Sequence, residues 1–123
     1  MKSPLWQPFK INQMELKNRI VFPPMVTQYA EERGSVSERT KNHYEARAKG
    51  GAGLIIVEAT YVHPRGQAFA KQLSISADEY IPGLSELVEA IHHNGAKAAI
   101  QLHHGGRMAK SWLMGMPPVA PSP

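Results

Sequence analysis

The chain has 123 residues, 42% of them hydrophobic and 20% charged, with a formal net charge of +4. That length suits about one small domain, and the absence of cysteine excludes disulfides and cysteine-ligated clusters within it. No apolar run reaches the roughly eighteen residues of a membrane-spanning helix, and the scattered Lys and Arg show no basic run with interleaved aromatics, so neither membrane nor nucleic acid is an expected partner.

The opening, "MKSPLWQPFKINQ", has no apolar stretch of the signal-peptide kind, and a cytoplasmic location is expected. "PFKINQMELKN" reads as a small hairpin turning at Asn12-Gln13. A short apolar strand, Arg19 to Phe22, then stops at Pro23-Pro24, because proline lacks the donor a central strand needs. Ser35 with Glu38 forms a candidate capping box, and Ser37 competes as N-cap. The helix they open runs to about Lys49 and stops at Gly50-Gly51. With Gly53, these glycines do not make a GxGxxG dinucleotide motif.

Leu54-Ile55-Ile56-Val57 does not alternate in polarity, so both faces of that strand should be buried, as in a parallel sheet. A long loop containing Pro64-Arg65-Gly66 follows. Asp78 is the expected cap of the next helix, with Pro82 in its first turn. Leu84, Leu87, Val88 and Ile91 fall on one helical face, and Asn94-Gly95 closes the helix. His92 and His93 read as solvated residues of its last turn, where positive charge suits the helix dipole. "AKAAIQL" is the next strand, and Met108 to Pro123 reads as loop.

Hairpin, then β, α, β, α, β, implies right-handed crossovers and a parallel sheet, with ligands at the carboxyl ends of the strands. Those ends carry Pro24-Met25-Val26-Thr27, Glu58-Ala59-Thr60 and Gln101-Leu102-His103-His104. The Gln101 amide can pair with a donor–acceptor edge. Ala59 has little bulk, and Thr27 adds a hydroxyl. The set suits a planar heterocycle with amide-like edges. Glu58 is either a base or, more ordinarily, the partner of a nearby cation. His103 and His104 are adjacent on a strand and point apart, with no acidic partner at ligand spacing, so no metal site is expected.

"PFKIN" followed by "LKNRIVFPPM", then "HYEARAKGGAGLIIVEATYV", "IQLHHGGR" and "PPVAPSP", in that order and spacing, resemble the N-terminal part of the old yellow enzyme family of NADH:flavin oxidoreductases. The "PPMVT" form is most similar to its enoate and 2,4-dienoyl-CoA reductase branch. The resemblance implies that residues 1–123 are the N-terminal portion, about three strands, of an FMN-binding (β/α)8 barrel, which typically needs about 250 residues. It implies FMN as cofactor, NADH or NADPH as reductant, and an enone or enoyl thioester as small-molecule substrate. By position, Pro24, Met25 and Val26 would line the flavin through backbone contacts, Ala59 would pack near the ring, and Gln101 would bond its pyrimidine edge. Tyr29 falls where some members contact substrate. Val26 departs from the Thr or Cys of many relatives; either Thr27 takes over that tuning or it is absent. Arg107 would either help hold the following loop or contact an anion. The family's proton donor and phosphate-binding loops would lie beyond residue 123, so the chain alone is expected to be inactive. Open sheet edges, and inner faces at Ile20, Ile56, Val57 and Ile100 without their opposite half, suggest a homo-oligomer. The alternatives are a non-catalytic, self-associating half-barrel and a small-ligand-binding module.

Overall fold

In the computed structural model, which describes residues 3–122, the chain opens on the hairpin. Strands β1 (Phe9–Ile11) and β2 (Met14–Leu16) pair antiparallel, with Phe9 opposite Leu16. Asn12 makes the turn with φ of 52°, a conformation asparagine tolerates better than most residues. Leu16 is buried.

Strand β3 is short, Val21–Phe22, and starts two residues later than the sequence suggested. It pairs in parallel with β4 (Leu54–Tyr61), which pairs in parallel with β5 (Lys97–His103). The sheet order β3-β4-β5 follows the chain order. Helix α1 (Glu38–Lys49) links the first pair and α2 (Ile81–His93) the second, so the unit is two consecutive βαβ crossovers.

Ser37 wins the competition to cap α1, accepting a hydrogen bond at 3.0 Å from the Thr40 amide. Thr40, Tyr44 and Ala48, spaced by four, are the buried stripe of that helix. Gly51, with φ of 103°, turns the chain out of it. The entry to α2 differs from expectation. Asp78 lies in a 3-10 turn, Asp78–Tyr80, and does not cap the helix. Tyr80 precedes α2 in right-handed helical conformation, so the turn runs straight into the helix and no extended cap residue is needed. The closing segment is also not all loop, since Gly106–Met108 form a 3-10 turn and α3 (Ser111–Met114) a single helical turn.

The core lies between the sheet and the two long helices. Ile55 and Val57 of β4 pack with Tyr44 and Ala48 of α1, Leu87 and Ile91 of α2, and Leu73. Phe22, Ala98 and Ile100 pack against this cluster from the flanking strands. Alternation along the strands then places Val21, Leu54, Ile56, Ala99 and Gln101 on the opposite face, away from the helices. This corrects the expected inner face: Ile56 belongs to it, whereas Val57 and Ile100 face the helices.

A side chain unremarked in the sequence locks the lower end of the sheet. Asn18 is buried, donates to the Gly51 carbonyl at 2.7 Å and accepts from the Ile20 amide at 3.1 Å. A Cβ on Gly53 would lie 2.5 Å from its Oδ1, so glycine is required there for close approach.

Candidate functional site

The regular pairing of β4 with β5 breaks once. Val57 is opposite Ile100 and Thr60 opposite Leu102, so Glu58 and Ala59 share the single partner position of Gln101. This is a β-bulge, a device that bends a strand and re-aims its side chains. It sits at the carboxyl end of the sheet, among the residues that the sequence singled out. β4 then continues to Tyr61, held by an isolated parallel bridge between Tyr61 and Ser74.

Ala59 is buried, and its carbonyl accepts the side-chain amide of Gln72 at 2.9 Å. Gln72 is fully buried and was not foreseen. Its oxygen takes the Ala68 and Phe69 amides, and its nitrogen also meets His103 Nδ1 at 3.1 Å. Because that nitrogen donates, His103 carries its proton on Nε2 when neutral. Burial, with the neighbouring His104 in second place, lowers the His103 pKa. His104 Nδ1 accepts from the Gly106 amide, and Arg107 lies exposed in the adjoining turn. Among the described residues no group of three or more His, Asp or Glu is placed to hold a metal ion.

Gln101 is exposed, and its amide makes no hydrogen bond among the described residues. Beyond β3 the chain passes through Pro24, partly buried, Met25, 52% exposed, and Val26, partly buried. The amides of Met25 and Val26 take no backbone partner among the described residues. Thr27 is tied down. Its amide donates to Glu58 Oε2 at 2.6 Å and its hydroxyl to Glu58 Oε1 at 2.7 Å. The same hydroxyl accepts the Tyr29 amide at 3.2 Å. Glu58 has no cationic partner among the described residues; its third donor is the Tyr44 hydroxyl at 3.2 Å. Tyr44 in turn accepts the Glu58 amide, and burial first, then the Glu58 charge, raises its pKa. The Tyr29 ring lies to the α1 side, with the Arg39 guanidinium 3.8 Å above it and His43 edge-on at 5.6 Å.

The structure thus brings Pro24–Thr27, Ala59 and Gln101 to adjacent strand ends, with a free side-chain amide and free backbone amides around a residue of minimal bulk. That donor set fits the edge and face of a planar, amide-bearing ring. The family model described as NADH:flavin oxidoreductase / NADH oxidase matches residues 4–122. The chain belongs to this family. It is 48% identical over 116 residues to an NADH oxidase of Thermoanaerobacter brockii, a match covering 93% of this chain and 18% of that protein. An NADPH dehydrogenase of Halalkalibacterium halodurans is 45% identical over 123 residues, 99% of this chain and 36% of the relative. The old yellow enzyme homologue of Zymomonas mobilis superposes with a TM-score of 0.89 at 32% identity, over 98% of this chain and 33% of that one. The chain therefore spans about a fifth to a third of the proteins it resembles, and its fold is the opening part of their barrel. The family pairs FMN with a nicotinamide reductant. No helix among the described residues is long and apolar enough to cross a membrane.

Proposed function

We propose that the protein carrying this chain is an FMN-dependent NAD(P)H oxidoreductase that reduces alkenes conjugated to a carbonyl, with an enone or enoyl thioester as substrate. The observation that carries this reading is the bulge that sets Ala59 against an unbonded Gln101, beside the free amides of Met25 and Val26, in a chain of the flavin family. Bound FMN would supply hydride transfer between nicotinamide and alkene; the protein supplies position and electrostatics. In this reading Gln101 bonds the pyrimidine edge, Pro24, Met25 and Val26 line the ring through their backbone, and Ala59 packs against it. The Thr27 hydroxyl is already engaged with Glu58 and Tyr29, so Thr27 contributes by holding the segment. Tyr29 is the candidate substrate contact. The proton donor and the phosphate-binding groups are assigned beyond residue 123, and the setting is cytoplasmic.

The test is Gln101→Leu in the full-length flavoprotein. Losing a hydrogen bond to a buried polar edge costs about 1–3 kcal/mol, or roughly 5- to 150-fold in FMN affinity. Unchanged affinity and flavin potential would remove Gln101 from the site. Anaerobic oxidation of NADH or NADPH in the presence of enones and enoyl thioesters tests the reaction, and no turnover with any such acceptor refutes it.

A second reading concerns the 123-residue chain by itself. Val21, Ala99 and Gln101 are exposed on the inner face, and Ile75, Leu84, Val88, Ala98 and Ile100 line an apolar cavity of about 260 Å³ between α2 and β5. These surfaces favour an inactive chain that associates with copies of itself. Light scattering and a flavin absorbance scan of the isolated chain decide it; a yellow, active monomer contradicts it.

A further inference from the structure

Glu58 is 1% exposed and has no cation beside it among the described residues. Burying a carboxylate without a counter-ion is costly, and only hydrogen bonds offset it. Here one residue supplies two of three donors: Thr27 binds one carboxylate oxygen with its amide and the other with its hydroxyl. A fold that needed only packing at this position could fill it with an apolar side chain. The segment that Glu58 grips explains the carboxylate.

That segment has little else to hold it. The ladder ends at Phe22. Pro23 and Pro24 have no amide hydrogen, and the amides of Met25 and Val26 find no backbone partner among the described residues. The first amide captured after the strand is that of Thr27, by Glu58. The Thr27 hydroxyl then captures the Tyr29 amide across Gln28, which sits at φ of 58°, a conformation that costs a non-glycine residue energy. The far side of Glu58 is bolted to α1, through the Tyr44 hydroxyl and its own amide.

We propose that Glu58 is a positioning residue: its paired bonds to Thr27 set the Pro24–Thr27 segment at the height and tilt that the flavin ring meets. This rests on the flavin reading above for what the segment touches, but not for how the segment is held. Glu58 acts neither as a base nor as a cation partner, since both oxygens are committed to Thr27 and Tyr44.

The experiment uses the full-length flavoprotein and Glu58→Gln, which keeps the shape but offers one oxygen where Glu58 uses two. Amide hydrogen exchange at Thr27 and Tyr29 should quicken at least about tenfold, while the Ile55 and Leu87 amides keep their wild-type rates. The FMN dissociation constant should rise by about tenfold and the bound-flavin spectrum should shift. Thr27→Val should weaken FMN binding in the same direction, and the double variant should be no weaker than the worse single one, because both remove one interaction. Tyr44→Phe unbolts Glu58 from α1, so it should weaken FMN binding in the same direction, less than Glu58→Gln does because both Thr27 ties remain. A folded Glu58→Gln protein with wild-type exchange at Thr27 and Tyr29 overturns the proposal. So does one with wild-type FMN binding. If Glu58→Gln does not fold, Thr27→Val decides, and unchanged FMN affinity there overturns it. If the wild-type protein itself binds no FMN, the flavin reading is lost; faster exchange in Glu58→Gln then still supports the anchor, and unchanged exchange removes it too.

Discussion

Replacing Tyr44 with phenylalanine isolates the worth of one hydroxyl in the core. The ring is fully buried and packs edge-on against His43 at 5.1 Å and Phe22 at 6.3 Å. Phenylalanine preserves all of that, so neither transfer free energy nor a cavity enters the balance. Two hydrogen bonds are lost. The Glu58 amide, 2.9 Å from the hydroxyl, is left unpaired in the interior, which costs about 1–3 kcal/mol. The bond from the hydroxyl to Glu58 Oε1 is longer, 3.2 Å, beyond the best range for O–H···O, and adds little. The total is about 1.5–3.5 kcal/mol. Urea unfolding of wild type and Tyr44→Phe measures it, with equal m-values needed to read the midpoint shift as stability. A loss below about 0.5 kcal/mol, the scale of an unremarkable surface change, would mean that the Glu58 amide finds another partner, and the argument from this network would fail.

Ser37→Ala removes the cap from the Thr40 amide and the hydroxyl's bond to the Tyr29 carbonyl, and should lower stability by about 1–2 kcal/mol in urea unfolding. Gly53→Ala forces a methyl group against Asn18, with its Oδ1 at 2.5 Å and its carbonyl oxygen at 2.7 Å; a loss of about 1–3 kcal/mol is expected, and a protein as stable as wild type would show that Asn18 moves freely. At high pH, Tyr44 and Tyr61, both held above the ordinary 10.0 first by burial, keep their protons in the folded state while the unfolded chain releases them. Their contribution is full below pH 10 and declines above it, and the decline should be shallower in Tyr44→Phe. In acid, His43 and His103 are held below the ordinary 6.5 first by burial. Their contribution is present above pH 6.5 and is lost as the pH falls below it, which unfolding midpoints between pH 8 and 5 will register.

The elements with a local chemical signature were legible in the sequence. Asn12-Gln13 turns a hairpin, Gly50-Gly51 ends α1, and the unalternating Leu54–Val57 run is a buried parallel strand. The misreadings have physical causes. Asp78 carries the chemistry of a cap, but a 3-10 turn already leads the chain into α2. Val57 was placed on the wrong face because β4, buried on both sides, gives no polarity signal for which parity meets the helices; in β5 the signal was present and passed over, since Lys97 and Gln101 share one parity and Ile100 has the other. Glu58 was expected to find a cation; its partners, Tyr44 and Thr27, lie 14 and 31 residues away and leave no trace in local spacing. Gln72 is hidden for the same reason, since its bonds to Ala59 and His103 exist only once the strands have paired. The strand ends that hold Pro24–Thr27, Ala59 and Gln101 were found from chain order alone, because a parallel sheet collects them on one side whatever the side-chain detail.

The irregularity between Val57 and Thr60 also constrains how this chain can vary in length. One residue could be removed from β4 at Ala59 and every pair on either side would keep its present mate, Val57 with Ile100 and Thr60 with Leu102. By strand accounting such a deletion is silent. By side-chain direction it is not, because Glu58 would become the regular neighbour of Gln101 and face the barrel interior, away from Tyr44. A carboxylate would then stand where the proposed flavin edge meets its amide partner. Gap placement in this strand is therefore decided by chemistry that the pairing pattern does not record, and a homologue lacking the extra residue should carry something other than an acid at the position of Glu58.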